Sequence, residues 1–182
     1  DPLANPELTR IISRNHWQRL MSLIDPAKTV YGGRGDEERL RIAPTLLHPV
    51  SREDPVMREE IFGPILPILT YESLDEVIAA IRAGDKPLAL YVFSERKREQ
   101  RLIIEQLSFG GGCINDTVFH YAHPGLPFGG VGKSGMGAYH GRHTFETFSH
   151  RKGVLEQTTR FDVPVRYHRY KHAMAIIRKL LR

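Results

Sequence analysis

Residues able to do chemistry lie at two places in the chain, around residue 60 and between residues 113 and 143. Cys113 is the single cysteine, set after Gly110-Gly111-Gly112 and before Ile114 at the start of a short strand. A thiol attacks only as thiolate, which needs a base or an electropositive setting. His120 and His123 are the nearby imidazoles, but spacing alone directs neither ring at the sulfur, and a small cysteine among apolar neighbours reads first as core. Gly130-Val131-Gly132-Lys133-Ser134-Gly135 is a literal G-x-G-x-x-G. A dinucleotide fingerprint must follow a buried strand and open a helix, so that the pyrophosphate meets the helix N-terminus. Here HPGLPF precedes it and MGAYHG follows it. Gly132-Lys133-Ser134 also resembles the end of a phosphate-binding P-loop, but the first glycine of that pattern falls on Pro127. The preferred reading is a tightly folded loop whose glycines allow positive φ or close backbone approach. His140-x-x-His143 and His168-x-x-x-His172 have usable ligand spacing, but neither pair has a carboxylate or thiolate placed as third ligand, so no metal site is expected. Glu59-Glu60-Ile61-Phe62-Gly63-Pro64 leaves two readings open. A carboxylate before an aromatic at a Gly-Pro bend can hold a ligand hydroxyl while the ring supports its face. Equally, it is a solvated charge pair beside a core Phe.

These residues need elements to position them. Trp17, Leu20, Met21 and Ile24 fall on one face of a helix that starts near Ser13 and stops at Asp25-Pro26. Residues 29–31 read as a short strand, 32–36 as a turn, 39–47 as extended and 48–60 as a polar loop. Residues 65–71, ILPILTY, read as a strand that Pro67 marks as irregular or at an edge. Ser73 and Glu76 form a capping box before a stripe of Leu74, Val77, Ile78 and Ile81, with Gly84 as C-cap. Residues 88–93, LALYVF, read as a buried parallel strand. Ser94 caps a further helix with Leu102, Ile103 and Leu107 inward and Gly110 at its end, and a short strand follows at 112–115. Strand, helix, strand, helix, strand argues for an α/β domain with a largely parallel sheet. Residues 123–141 read as a glycine-rich loop, 144–151 as a strand, 160–170 as extended and basic, and 171–182 as a basic amphipathic terminal helix. That helix fits docking on its own fold or on a partner subunit better than lying on a membrane surface.

Hydrophobic residues at 41% and charged residues at 26% are ordinary for a globular fold. The net charge of +5 is spread along the chain, so solvated faces and small-anion contacts are expected and no nucleic acid. A lone cysteine and the lack of an apolar leader make a reducing, cytoplasmic setting the expectation. The first residue is Asp1 rather than Met, which suggests a processed or truncated end.

The quoted segments resemble the aldehyde dehydrogenase superfamily, most closely its class 3 branch, which includes fatty, aromatic and coniferyl aldehyde enzymes. The matching stretches are 41–47 RIAPTLL, 59–69 EEIFGPILPIL, 87–94 PLALYVFS, 112–116 GCIND, 126–141 LPFGGVGKSGMGAYHG and 144–151 TFETFSHR. The resemblance implies the C-terminal part of a catalytic α/β domain over residues 1–142. It implies an oligomerisation-arm strand and the basic helix over 143–182. It implies an enzyme in which a cysteine thiolate attacks the aldehyde, hydride passes to NAD or NADP, and a glutamate-activated water releases the carboxylic acid. Carried onto this chain, Glu60 matches the glutamate that holds the nicotinamide ribose and Phe62 the aromatic near the nicotinamide. Phe128 matches a residue at the substrate tunnel, and a homodimer is expected.

The family nucleophile belongs to a G-Q-x-C segment and its general base to an E-L-G-G-K segment. Both, with the cofactor domain, belong upstream of residue 1, and Cys113 does not match the nucleophile. The expectation is therefore a piece of an NAD(P)+-dependent aldehyde dehydrogenase, with no catalytic residue of its own and inactive alone. The alternative is a standalone, non-catalytic binding or oligomerisation module.

Overall fold

The structure, a computed structural model, describes residues 1–162 and 173–181. Helix α1 (Arg14–Leu23) starts where the Ser13 hydroxyl accepts from the His16 amide, satisfying one of the orphan N–H groups of the first turn. Its apolar face is the expected one. Leu20 is fully buried, Ile24 is buried, and Trp17 and Met21 pack against the same core. Strands β1 (Thr29–Tyr31), β2 (Gly35–Asp36), β3 (Arg41–Ile42), β4 (Thr45–Leu47) and β5 (Ile65–Pro67) follow. The three-stranded sheet has the order β1-β4-β5, antiparallel between β1 and β4 and parallel between β4 and β5, while β2 and β3 form an antiparallel pair. The strand expected over 65–71 ends at Pro67, which pairs with Leu47 at the sheet edge. Leu20, Ile24, Ile42, Leu47, Val50, Val56 and Ile65 form one core beneath α1.

Helix α2 (Leu74–Ala83) has Ser73 as N-cap, with Ile78 buried and Leu74, Val77 and Ile81 half-buried beside it. The Glu76 carboxylate reaches back to the amide of Glu72 rather than to that of Ser73. Gly84 is the C-cap, in extended backbone. Strands β6 (Ala89–Val92) and β7 (Gly111–Ile114) pair in parallel across helix α3 (Lys97–Gln106), so the β-α-β-α-β order stands. α3 ends at Gln106 with Leu107 as its C-cap, before the glycines, and Ser94 sits two residues ahead of the N-cap Arg96, whose amide donates to its hydroxyl.

Three expectations change. The expected parallel pairing is present in β4–β5 and β6–β7, but among the described residues the strands form three separate small sheets rather than one largely parallel sheet. β6 is not buried on both faces: Val92 is, but Tyr91 is 37% and Phe93 67% exposed. A two-stranded sheet covered on one face leaves alternate side chains in solvent. Finally, the strand expected over 144–151 is absent, because α5 (Gly141–Thr147) is a helix. The Thr144 hydroxyl accepts from the His140 amide, and Arg142 reaches Glu146 one turn on at 2.7 Å. Phe145 and Phe148 are three residues apart, a spacing a helix also accepts, and both are exposed. A short helix α4 (Phe119–Ala122) lies between β7 and the glycine-rich loop. The terminal helix is described as α6 (Ala173–Leu180), with Met174, Ile176 and Ile177 exposed. Most of the extended stretch 160–170, and the His168/His172 pair, lie outside the described residues. No helix among the described residues is long and apolar enough to cross a membrane.

Two outcomes are expected. Leu20→Ala empties a fully buried site and lowers stability by about 3 kcal/mol in urea unfolding. The second concerns α5. A hydrogen bond from Arg142 holds the Glu146 carboxyl below the usual carboxylate range, and the charges of Arg142, Arg151 and His143 act the same way. A depressed carboxylate stabilises the fold above its unfolded-state value and loses that contribution as pH falls through the folded one. Amide protection in α5 therefore declines as the pH falls through the carboxylate range, and Glu146→Gln removes that decline.

Candidate functional site

The loop Glu59-Glu60-Ile61-Phe62-Gly63-Pro64 is held from one side by α1. His16 and Arg19 are three residues apart and share a face of the helix. Arg19 pairs with Glu59 (Nη1–Oε1 2.7 Å), and its Nη2 donates to the carbonyls of Glu60 and Ile61. His16 Nε2 lies 2.9 Å from the Phe62 carbonyl. A carbonyl cannot donate, so Nε2 carries the proton, and the bare Nδ1 accepts from Arg19 Nε at 3.4 Å. One guanidinium and one imidazole thus fix three consecutive carbonyls. A Cβ on Gly63 would stand 2.5 Å from Leu20 Cδ1, so the glycine lets the loop close on the core.

The backbone leaves this grip with Phe62 in the left-handed region (φ 53°) and the residue 77% exposed. This removes the reading of Phe62 as a core residue. Glu59 belongs to the Arg19 pair, whereas Glu60 is exposed and its carboxylate has no partner among the described residues. The loop therefore offers a free carboxylate, able to accept two hydroxyls, beside an exposed aromatic face.

Phe128 lies elsewhere, in a chain of rings. It exchanges backbone hydrogen bonds with Tyr139 at 3.0 Å each way, an antiparallel bridge across the glycine loop. Its ring meets Tyr121, Tyr139 and His120 at centroid separations of 5.3, 5.6 and 5.7 Å. Tyr91 continues the chain beyond His120, and His140 beyond Tyr121 and Tyr139. No hydrogen bond, ion pair or ring contact joins this cluster to the Glu60–Phe62 loop among the described residues. Cys113 has His120 beside it, with Sγ 3.6 Å from Nδ1. His123 instead accepts from the Gly125 amide. At the end of β7, the Asn115 amide exchanges hydrogen bonds with the Ser94 backbone, fastening β7 to the start of the α3 segment. Hydrogen bonds from Arg96 and then Ser94 hold the Glu99 carboxyl there below its ordinary range.

The G-x-G-x-x-G opens no long helix. Gly132–Ser134 is a single 3-10 turn, with the Val131 amide donating to Ser134 Oγ, and Lys133 reaches Asp85 at 3.0 Å. A Cβ on Gly130 would stand 2.1 Å from the Ser134 carbonyl oxygen, and Gly132 has φ +69°, so the glycines serve close backbone packing and positive φ. Among the described residues, no group of three or more His, Cys, Asp or Glu side chains could hold a metal ion.

Sequence reasoning did not anticipate His16, Arg19 or the His120 contact. The i, i+3 placement of an imidazole and a guanidinium beside the apolar face of α1 was the available signal for the first two.

The profile of the Aldehyde dehydrogenase family matches residues 1–154. The chain is 52% identical over 169 residues to the 4,4'-diaponeurosporen-aldehyde dehydrogenase of Staphylococcus aureus, covering 92% of this chain and 37% of that protein. It is 51% identical over 160 residues to the aldehyde dehydrogenase, dimeric NADP-preferring, of Mus musculus, covering 88% and 35%. The solved substrate-bound state of Staphylococcus aureus AldH superposes with a TM-score of 0.83 at 49% identity, over 95% of this chain and 38% of that one. The chain thus spans a little over a third of the length of these proteins.

Arg19→Met keeps the packing of the stem but removes the donors. It is expected to lower stability by about 1 kcal/mol, the net worth of the hydrogen bonds it makes to the exposed Glu60 and half-buried Ile61 carbonyls, and to raise hydrogen exchange first in residues 59–64.

Proposed function

This chain belongs to the aldehyde dehydrogenase family, and from that premise we propose that it is the C-terminal part of the catalytic domain of a class 3-like enzyme oxidising an aldehyde to a carboxylic acid with NAD or NADP. The observation that carries this reading is the Glu59–Pro64 loop, gripped at its carbonyls by Arg19 and His16 while Glu60 and Phe62 face solvent. Those two side chains suit a nicotinamide riboside: a carboxylate accepts the ribose hydroxyls and an aromatic face lies against the ring. When bound, NAD(P)+ supplies the hydride acceptor. Glu60 orients the ribose through charge-assisted hydrogen bonds, Phe62 shields one face from water, and Arg19 and His16 position both. Phe128 is proposed as a wall of the aldehyde tunnel, backed by Tyr121 and Tyr139.

The thiolate nucleophile and the base glutamate of the family have no counterpart in this chain. The reading therefore takes the chain alone to be inactive and to be completed by further polypeptide. The exposed Phe93, Phe119, Val118 and Ile114 around the β6–β7 unit support a covering partner segment. A division near residue 142, a homodimeric parent and a cytoplasmic setting belong to the same proposal. The second is supported by a relative named as dimeric.

The chain alone, mixed with an aldehyde and NAD+ or NADP+, is expected to yield no reduced nicotinamide above the blank, and any turnover would sink the claim of inactivity. In an enzyme that carries this chain together with the missing segments, Glu60→Gln lowers kcat/KM about tenfold, the effect of ~1.4 kcal/mol lost from charge-assisted hydrogen bonding. An unchanged value would remove Glu60 from the cofactor site.

A further inference from the structure

Cys113 and His120 form an arrangement that the dehydrogenase reading does not use. Sγ stands 3.6 Å from His120 Nδ1. His120 is 6% exposed, and its other nitrogen, Nε2, is buried without a partner among the described residues. The ring is held on several sides. Tyr91 meets it edge-on at 5.7 Å and Phe128 at the same separation, tilted. Gly111 provides the seat: a Cβ there would come 2.9 Å from His120 Cδ2, so any larger residue would displace the imidazole from the strand. Cys113 itself is only half-buried, on the same strand two residues along. The fold therefore presents a half-buried thiol with an immobilised base behind it. Val118, the residue that turns the chain from β7 into α4 and so carries His120 back over the strand, is β-branched and sits at φ 64°. Such a conformation persists only where the surrounding structure dictates it.

A buried imidazole with one nitrogen on a thiol and the other on nothing is more than a packed ring. If Nδ1 accepts the thiol proton, the sulfur becomes the nucleophile and the imidazolium stores the proton next to the reacting centre. We propose that Cys113 is a covalent modification site, activated by His120, for soft carbon electrophiles of the α,β-unsaturated carbonyl class. The thiol proton moves to Nδ1, and a sulfur lone pair forms the S–C bond to the β-carbon. The C=C pair moves onto the α-carbon and carbonyl oxygen as an enolate. His120 then returns its proton to the α-carbon. The net change is addition of S–H across the double bond, with no oxidant or reductant. The neighbouring rings of Tyr91 and Phe128 give the planar electrophile an apolar approach.

N-ethylmaleimide is a suitable probe, followed by intact mass on the 182-residue chain, because Cys113 is its only cysteine and every thiol adduct reports that residue. The folded chain is expected to react at least tenfold faster than the same chain unfolded in urea, each rate taken relative to free glutathione in the same solvent. His120→Gln is expected to bring the folded rate down to the unfolded one. A folded rate equal to or below the unfolded rate overturns the proposal, as does a folded His120→Gln chain that reacts as fast as the parent. If His120→Gln does not fold, as judged by circular dichroism, the comparison of folded with unfolded parent decides alone.

Discussion

The contact of Leu20 with Gly63 is the constraint on which the N-terminal half depends. Leu20 is fully buried, and its methyls occupy the space that any Cβ on Gly63 would need. This seats the loop 59–64 directly on α1. Once it is seated, the residues one place and one turn earlier, Arg19 and His16, are within reach of its carbonyls. A hydrophobic contact sets the distance, and polar groups on the same helix then set the orientation. The three-stranded sheet beneath supplies the floor through Leu47 and Ile65, and Ile42 of the β2–β3 pair joins them in one core with Leu20.

Much of this was legible from residue order. The helix after Ser13 and the one after Ser73 carry their own caps and their own apolar stripes, so local chemistry and burial agree. What failed did so for physical reasons. The run 88–93 is apolar throughout, but apolarity cannot say how many neighbouring strands exist, and Tyr91 and Phe93 are left in solvent. At 144–151 the imperfect alternation of Phe145 and Phe148 suggested a strand. The Arg142–Glu146 pair and the Thr144 hydroxyl favour a helix instead.

The candidate site was legible in part. The hexapeptide at 59–64 stood out by residue type, and the structure separates its two carboxylates, tying Glu59 to Arg19 and leaving Glu60 free. The grip itself was hidden because its acceptors are backbone carbonyls, which every residue has and no residue type advertises. The same is true of Cys113 and His120. Seven residues apart, they meet only because β7 ends and α4 doubles back, a reversal that no periodicity foretells.

Phe62 illustrates a consequence of holding backbone rather than side chain. A non-glycine residue in the left-handed region costs about 1–2 kcal/mol, and here that cost is met in folding, by the bonds to His16 and Arg19. The loop is therefore ordered before anything arrives. A flexible loop would lose conformational entropy at the moment of association, whereas this one keeps a fixed backbone and loses only ring and carboxylate rotation. The affinity of a ligand resting on Glu60 and Phe62 would thus be set in part by the helix that holds the loop's backbone.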